Sequence, residues 1–234
     1  MRTELRVLAR AGELPRITAT GGLTARHTAP DTIHLIGTAA TPLGGDDLDI
    51  RIVVGPGARL VIRSVAATLA LPGAATVSSW ARWRYEVDTG ALLEVEPEPM
   101  IVAGGARHHA RTEVLLAADA RIRLRERVQI GRVGEDGGGW VGDLVADVDG
   151  VALVRHRLAL GVGCGTDDVL AAPRALDSEL VYPDDRPASV DGLTAARLPL
   201  AGGGSLFTGL GRTLPVADRR DAPVLPVASP ITVR

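Results

Sequence analysis

The chain has 234 residues, with 26 Lys plus Arg against 28 Asp plus Glu, a formal net charge of −2, and 46% hydrophobic residues. That length supports a sizeable core, and near-neutral charge without a long basic run removes the electrostatic footprint of a nucleic-acid binder. All the basic residues are Arg, so a Walker A loop, which needs its Lys on the phosphates, and a Schiff-base or pyridoxal-phosphate lysine are both excluded.

In chain order, residues 1–15 lack the uncharged run of about 7–15 residues that a signal peptide needs, so a cytoplasmic protein is expected. Apolar stretches are broken by Arg, Gly or Asp well before the roughly 20 residues that cross a bilayer, so no membrane contact is expected. Leu43-Gly44-Gly45-Asp46-Asp47-Leu48-Asp49 is the densest acidic cluster. It reads either as a polar turn with Asp capping backbone N–H groups or as a place where Asp46 donates oxygen to a cation.

Three segments then share one pattern. Ile50–Val54 leads to Gly57-Ala58-Arg59-Leu60-Val61-Ile62. Trp83–Val87 leads to Gly90-Ala91-Leu92-Leu93-Glu94-Val95. Thr112–Leu116 leads to Asp119-Ala120-Arg121-Ile122-Arg123-Leu124. Each is a strand-like run, a short Gly/Pro/Asp turn and a second alternating run. Ile122, Leu124 and Val128 alternate with Arg121, Arg123 and Arg125, the period of a half-buried strand. The recurrence of Ala58, Ala91 and Ala120 predicts stacked β units, each burying its apolar face on the next, with an antiparallel sandwich as the alternative.

Asp149-Gly150 between apolar runs predicts a hairpin joining strands over 143–148 and 151–160. Gly161-Val162-Gly163-Cys164-Gly165 has the wrong spacing for a dinucleotide turn, and the single Cys164 reads as small core filler. Prolines at 173, 183 and 187 mark connecting loops, Leu206, Leu210 and Leu214 recur at helical spacing, and residues 222–234 read as an extended tail. The expected fold is mainly β, an irregular β-helix or solenoid-like stack with a little helix near the C-terminus, over a single domain spanning 1–234.

The histidines form no ligand set. His108 and His109 are adjacent, so on a strand they point to opposite faces. A metal-dependent enzyme using Asp46, Asp47, His108 and Glu126 finds no support in spacing, and a carbohydrate-binding module has few aromatics to offer beyond Trp80, Trp83, Trp140, Tyr85, Tyr182 and Phe207.

Several short motifs occur in order: Gly44-Gly45-Asp46, Gly57-Ala58-Arg59-Leu60, Ala66-Ala67-Thr68, Pro97-Glu98 before an apolar strand, Ala106 to Thr112, and Glu126 before Gly131-Arg132. In this the chain resembles the urease accessory protein D (UreD) family over roughly residues 20–160, while its C-terminal third matches poorly. The resemblance implies a non-catalytic scaffold for urease maturation. It would assemble with accessory proteins F and G on the urease structural subunits and help nickel into apo-urease. No cofactor would be tightly bound, with nickel only in transit. Such a passage should bind weakly and exchange quickly, so scattered carboxylates serve better than a closed cage. Asp46, Glu98, Glu126 and, less centrally, Glu135 are the candidates for that transient path.

Overall fold

The computed structural model describes residues 1–135, 137–165, 167 and 172–214. The chain opens with β1 (Arg2–Ala9), β2 (Arg16–Thr20), β3 (Leu23–Ala29) and β4 (Thr32–Gly37). Coils follow: β5 (Asp47–Val54), β6 (Arg59–Ser64) and β7 (Thr68–Ala70); β8 (Ser78–Val87), β9 (Leu92–Val95) and β10 (Met100–Val102); β11 (Arg107–Leu116) and β12 (Arg121–Ile130). β13 (Gly139–Val148) and β14 (Val151–Gly161) form a hairpin, and β15 (Ala175–Tyr182), β16 (Ser189–Asp191), β17 (Ala195–Leu200) and β18 (Gly204–Gly211) complete the described strands.

Each coil contributes one strand to each of two sheets. The first sheet runs β14-β13-β11-β8-β5-β1-β2, and the second runs β16-β17-β18-β15-β12-β9-β6-β4-β3. Pairing is parallel from β1 through β5, β8 and β11 to β13, and likewise from β4 through β6 and β9 to β12. Antiparallel neighbours sit at both margins of each sheet. A third, shorter ribbon joins β7, β10 and the last residues of β12. The structure is therefore mainly β and solenoid-like, as the repeat predicts.

The stacking is in register, and register decides which side chains enter the core. Val7, Ile52, Tyr85 and Val114 lie side by side on neighbouring strands and all face inward. Leu60, Leu93 and Ile122 do the same on the opposing sheet, each with 0% of its surface exposed. Ala58, Ala91 and Ala120 occupy the inside of the three corners, buried, and the N–H of each donates to the carbonyl three residues earlier at 3.0 Å. The alanine repeat in the sequence is thus a column of corner residues.

A second corner precedes the first-sheet strands. The Asp46 N–H donates to Leu43 O at 2.9 Å, and the Ala106 N–H donates to Ala103 O at 3.0 Å. Gly45 and Gly105 take φ of 94° and 78° in these turns, which only glycine adopts readily. Gly44 is required for a different reason: a Cβ there would stand 1.8 Å from the Thr76 carbonyl oxygen.

Two predictions from spacing meet different ends. Asp149 and Gly150 do make the β13–β14 hairpin turn, both with positive φ. The helical spacing of Leu206, Leu210 and Leu214 makes no helix, because β18 carries Leu206 and Leu210 and is hydrogen-bonded on both sides, to β15 and β17. Gly209 and Gly211 lower helix propensity there, and ladder pairing on both edges decides the outcome.

Truncating the core of one coil should unsettle the stack. Leu93→Ala is expected to cost about 2–5 kcal/mol in urea denaturation. Val151→Ala, at a residue 71% exposed on the β13–β14 hairpin, should stay within roughly 0.5 kcal/mol.

Candidate functional site

Inside the stack the apolar side chains separate into two clusters. The larger lies between β5, β8 and β11 and the paired β6, β9 and the first part of β12, and includes Tyr85, Ile122 and Leu124. The smaller contains Ala70, Val102, Ala110, Val128, Ile130 and Trp140. On β12 the boundary falls between Leu124 and Val128, where the inward position belongs to Glu126.

Glu126 is only partly buried as a residue, yet burial of its carboxyl pushes the pKa up to about 7. Among the described residues it has no hydrogen-bond or ion-pair partner. Tyr85 senses it across the interior: burial first, then the Glu126 charge, raises the phenol's pKa. A carboxyl of this kind is about half ionised at neutral pH and free to accept a proton, a water or a cation.

The other three carboxylates are committed locally. Asp46 Oδ1 lies 2.5 Å from the chain-terminal ammonium, while Oδ2 accepts from the Thr41 hydroxyl and the Leu43 N–H, both at 2.8 Å. Burial would raise its pKa, but the Leu43 N–H, the ammonium and the Thr41 hydroxyl together leave it lowered. Asp46 therefore holds the corner before β5, which agrees with the turn reading of the acidic cluster. Glu98 sits at the corner between β9 and β10, where its N–H donates to Ser64 Oγ at 2.8 Å and its carboxylate lies 3.8 Å from Arg127. Arg127 leaves β12 on the face opposite its neighbour Glu126.

Glu135 lies in the β12–β13 loop. Its carboxylate accepts from the Arg132 guanidinium, the Arg132 N–H and the Gly104 N–H, and these bonds hold its pKa down at about 2. It ties that loop to the corner before β11. The structure thus brings Glu98 and Glu126 to one corner on opposite sides of the wall, and leaves Asp46 and Glu135 at other corners.

A second polar position was only partly legible in the sequence. Ser79, His108 and Trp140 occupy one inward rung, with Asp46 one residue before the paired Asp47 and Trp80. Ser79 Oγ is 2.9 Å from His108 Nδ1, and both residues are 1% exposed. Burial, then the neighbouring His109, lowers the His108 pKa to about 4, so the ring is neutral at neutral pH and serves as a hydrogen-bond partner in the core. His109 points outward and stacks on Trp80, as adjacent positions on a strand require. Among the described residues no three His, Cys, Asp or Glu side chains could together hold a metal ion. The grouping of Asp46, Asp47, His108 and Glu126 does not form. Trp83 and Tyr85, two apart on β8, stack on one face, but that face is the core, which leaves them unable to serve as a carbohydrate platform.

Among the described residues no helix is long and apolar enough to cross a membrane. The family model described as "UreD urease accessory protein" matches residues 16–182. The urease accessory protein UreD of Parafrankia sp. (strain EAN1pec) is 41% identical, covering 89% of this chain and 76% of that protein. UreD of Frankia alni is 44% identical over 76% of this chain and 68% of its own length. UreD of Streptomyces coelicolor is 37% identical over 89% of each.

The Glu126 carboxyl gives a pH dependence with a definite sign. Its folded pKa lies above the unfolded value of 4.5, so the folded state binds more protons and stability falls as pH rises from about 4.5 to about 7. His108, lowered in the fold, acts oppositely, adding stability as pH rises over about 4 to 6.5. Comparing the wild type with Glu126→Gln isolates the first effect. The variant should gain stability relative to wild type above pH 7, by at most on the order of 3 kcal/mol, and the gain should vanish near pH 4. Urea midpoints measured across pH 4–8 check this.

Proposed function

The chain belongs to the UreD urease accessory protein family, and we propose that it acts as a non-catalytic scaffold in urease maturation, helping nickel to pass into apo-urease. In this reading it works in the cytoplasm, together with the urease structural subunits and accessory proteins F and G. Nickel is cargo rather than a resident cofactor.

The observation that supports the passage is Glu126. A transported divalent ion needs oxygen donors that bind weakly and release quickly, and an interior carboxyl with no competing partner among the described residues supplies one. Its pKa near 7 means that a cation displaces a proton at little cost, and that the empty site reverts to a neutral group which burial tolerates. Glu98, on the outer side of the same corner, is placed to contribute at an entry. Asp46 and Glu135 carry hydrogen bonds that a passing ion would have to break, so their contribution to the path is the architecture of the corners they hold.

The experiment is co-expression of urease subunits and the remaining accessory proteins with and without this chain. Urease activity and nickel content should both fall without it while apo-urease stays folded; equal values either way would sink the proposal. Glu126→Gln should lower the rate of activation several-fold with the chain still stable and present in the complex. Asp46→Ala should instead lower the yield of folded chain, because it strands the Leu43 N–H and the Thr41 hydroxyl, at a cost of about 1–3 kcal/mol for such a buried loss. Normal activation by Glu126→Gln would remove this residue from the path.

A further inference from the structure

Most of the outer face of the first sheet is a lattice of paired charges. Arg6 meets Asp49, Arg51 meets Glu86, Arg111 meets Glu113 and Arg157 meets Asp143. Such a surface is well hydrated and offers little to a partner. The end at which β8, β11 and β13 begin is different.

There Trp80 and His109 stand on adjacent strands and stack with ring centroids 5.6 Å apart and planes 12° from parallel. Trp80 is 46% exposed. Val77, whose carbonyl accepts from the Arg107 N–H, is exposed near the start of β8, and Val162, just after β14 on the far side of β11 and β13, is exposed as well. Between the starts of β11 and β13 opens a cleft of about 370 Å³, lined by Ala106, Arg107, His109, Trp140, Val141 and Val162 among others. Its floor is Trp140 with the neutral, buried His108. Among the described lining residues none carries a carboxylate, and that of Asp167, outside the lining, accepts from the Gly163 N–H at 3.3 Å. Arg107 is exposed at its rim and, among the described residues, its guanidinium has no hydrogen-bond or ion-pair partner.

We propose that this cleft is a protein-docking site that takes an apolar side chain from a segment of a partner protein, with a carboxylate close by on the same segment meeting Arg107. An exposed tryptophan stacked on a histidine, next to a pocket and an arginine with no partner among the described residues, is the composition that dominates binding energy at protein interfaces. Apolar walls fix the anchor, and the exposed Arg107 guanidinium at the rim favours a carboxylate next to it. The occupant's identity as a member of the maturation complex rests on the reading under Proposed function; the chemistry of the cleft does not.

The test uses the tagged chain co-expressed with the urease subunits and the other accessory proteins, and measures which of them co-purify. Trp80→Ala and Arg107→Glu should each cut retention of one partner roughly tenfold or more. Arg107→Lys should keep most of it, and Val190→Ser on distant β16 should change nothing. Retention by the wild type should weaken as salt rises. Arg107 is exposed, so its variants fold even where loss of Trp80 lowers stability; melting curves check this. Equal retention by wild type, Trp80→Ala and Arg107→Glu would overturn the docking site while leaving the maturation role intact. A self-association lost in Trp80→Ala, with the other proteins retained, would make the occupant a second copy and overturn the partner assignment. Retention of none of those proteins by the wild type would overturn the maturation reading and this occupant together.

Discussion

The stack depends on the chain returning to the same place after every coil. Parallel pairing gives no help from a hairpin, because consecutive partners are joined by a whole coil rather than by a two-residue turn. The corners must therefore set the register, and they do it with small residues and fixed hydrogen bonds. Ala58, Ala91 and Ala120 repeat the same closing bond at one corner, while Asp46 and Ala106 repeat another before β5 and β11. A slip of one residue would turn Val7, Ile52, Tyr85 and Val114 out to solvent and bring the intervening charges in. Corner geometry and inner packing are one constraint seen from two sides.

The same constraint shapes the outer face of the second sheet. With coils in register, outward side chains of β6, β9, β12 and β15 form rows, and like charges in a row would repel. Signs alternate across the strands instead. Arg63 pairs with Glu94, Arg123 with Glu96 and Glu179, and Arg125 with Glu96 and Asp177. Arg123 and Glu94 are so enclosed by these neighbours that they are buried although they stand on an outer face. Bidentate, planar guanidinium groups suit this arrangement better than ammonium groups would. Removing one member would leave its partner enclosed and unpaired, which costs more than an exposed pair is worth.

How much of this could be read beforehand follows from the length of each signal. Ten-residue strands with alternating residues and a recurring turn were legible, and they fixed the stacked architecture, the β13–β14 hairpin and the opposite directions of His108 and His109. The third ribbon was not, because β7 and β10 have three residues each, too few to show a period. β18 was masked by an accidental helical spacing of leucines. At the acidic cluster the sequence left two readings standing, since the same Asp can cap a turn or hold a cation; only the positions of Thr41 and the Leu43 N–H separate them. Glu126 was harder still. Flanked by Arg125 and Arg127 it looks like surface charge, and its place inside is visible only by counting parity from Ile122 and Leu124 to Val128.

That parity explains how one thin wall serves two purposes. A strand's alternate side chains belong to different environments, so inward and outward chemistry can vary independently at neighbouring positions. Glu126 faces the interior while Arg127 beside it contacts Glu98 outside. His108 is sealed against Ser79 while His109 beside it supports an exposed tryptophan. An interior carboxyl is costly for a fold that gains its stability from apolar stacking, and a position that merely filled space would be better served by the valines and leucines on either side of it. The cost is limited by placing Glu126 at the seam between two apolar clusters, where it interrupts neither.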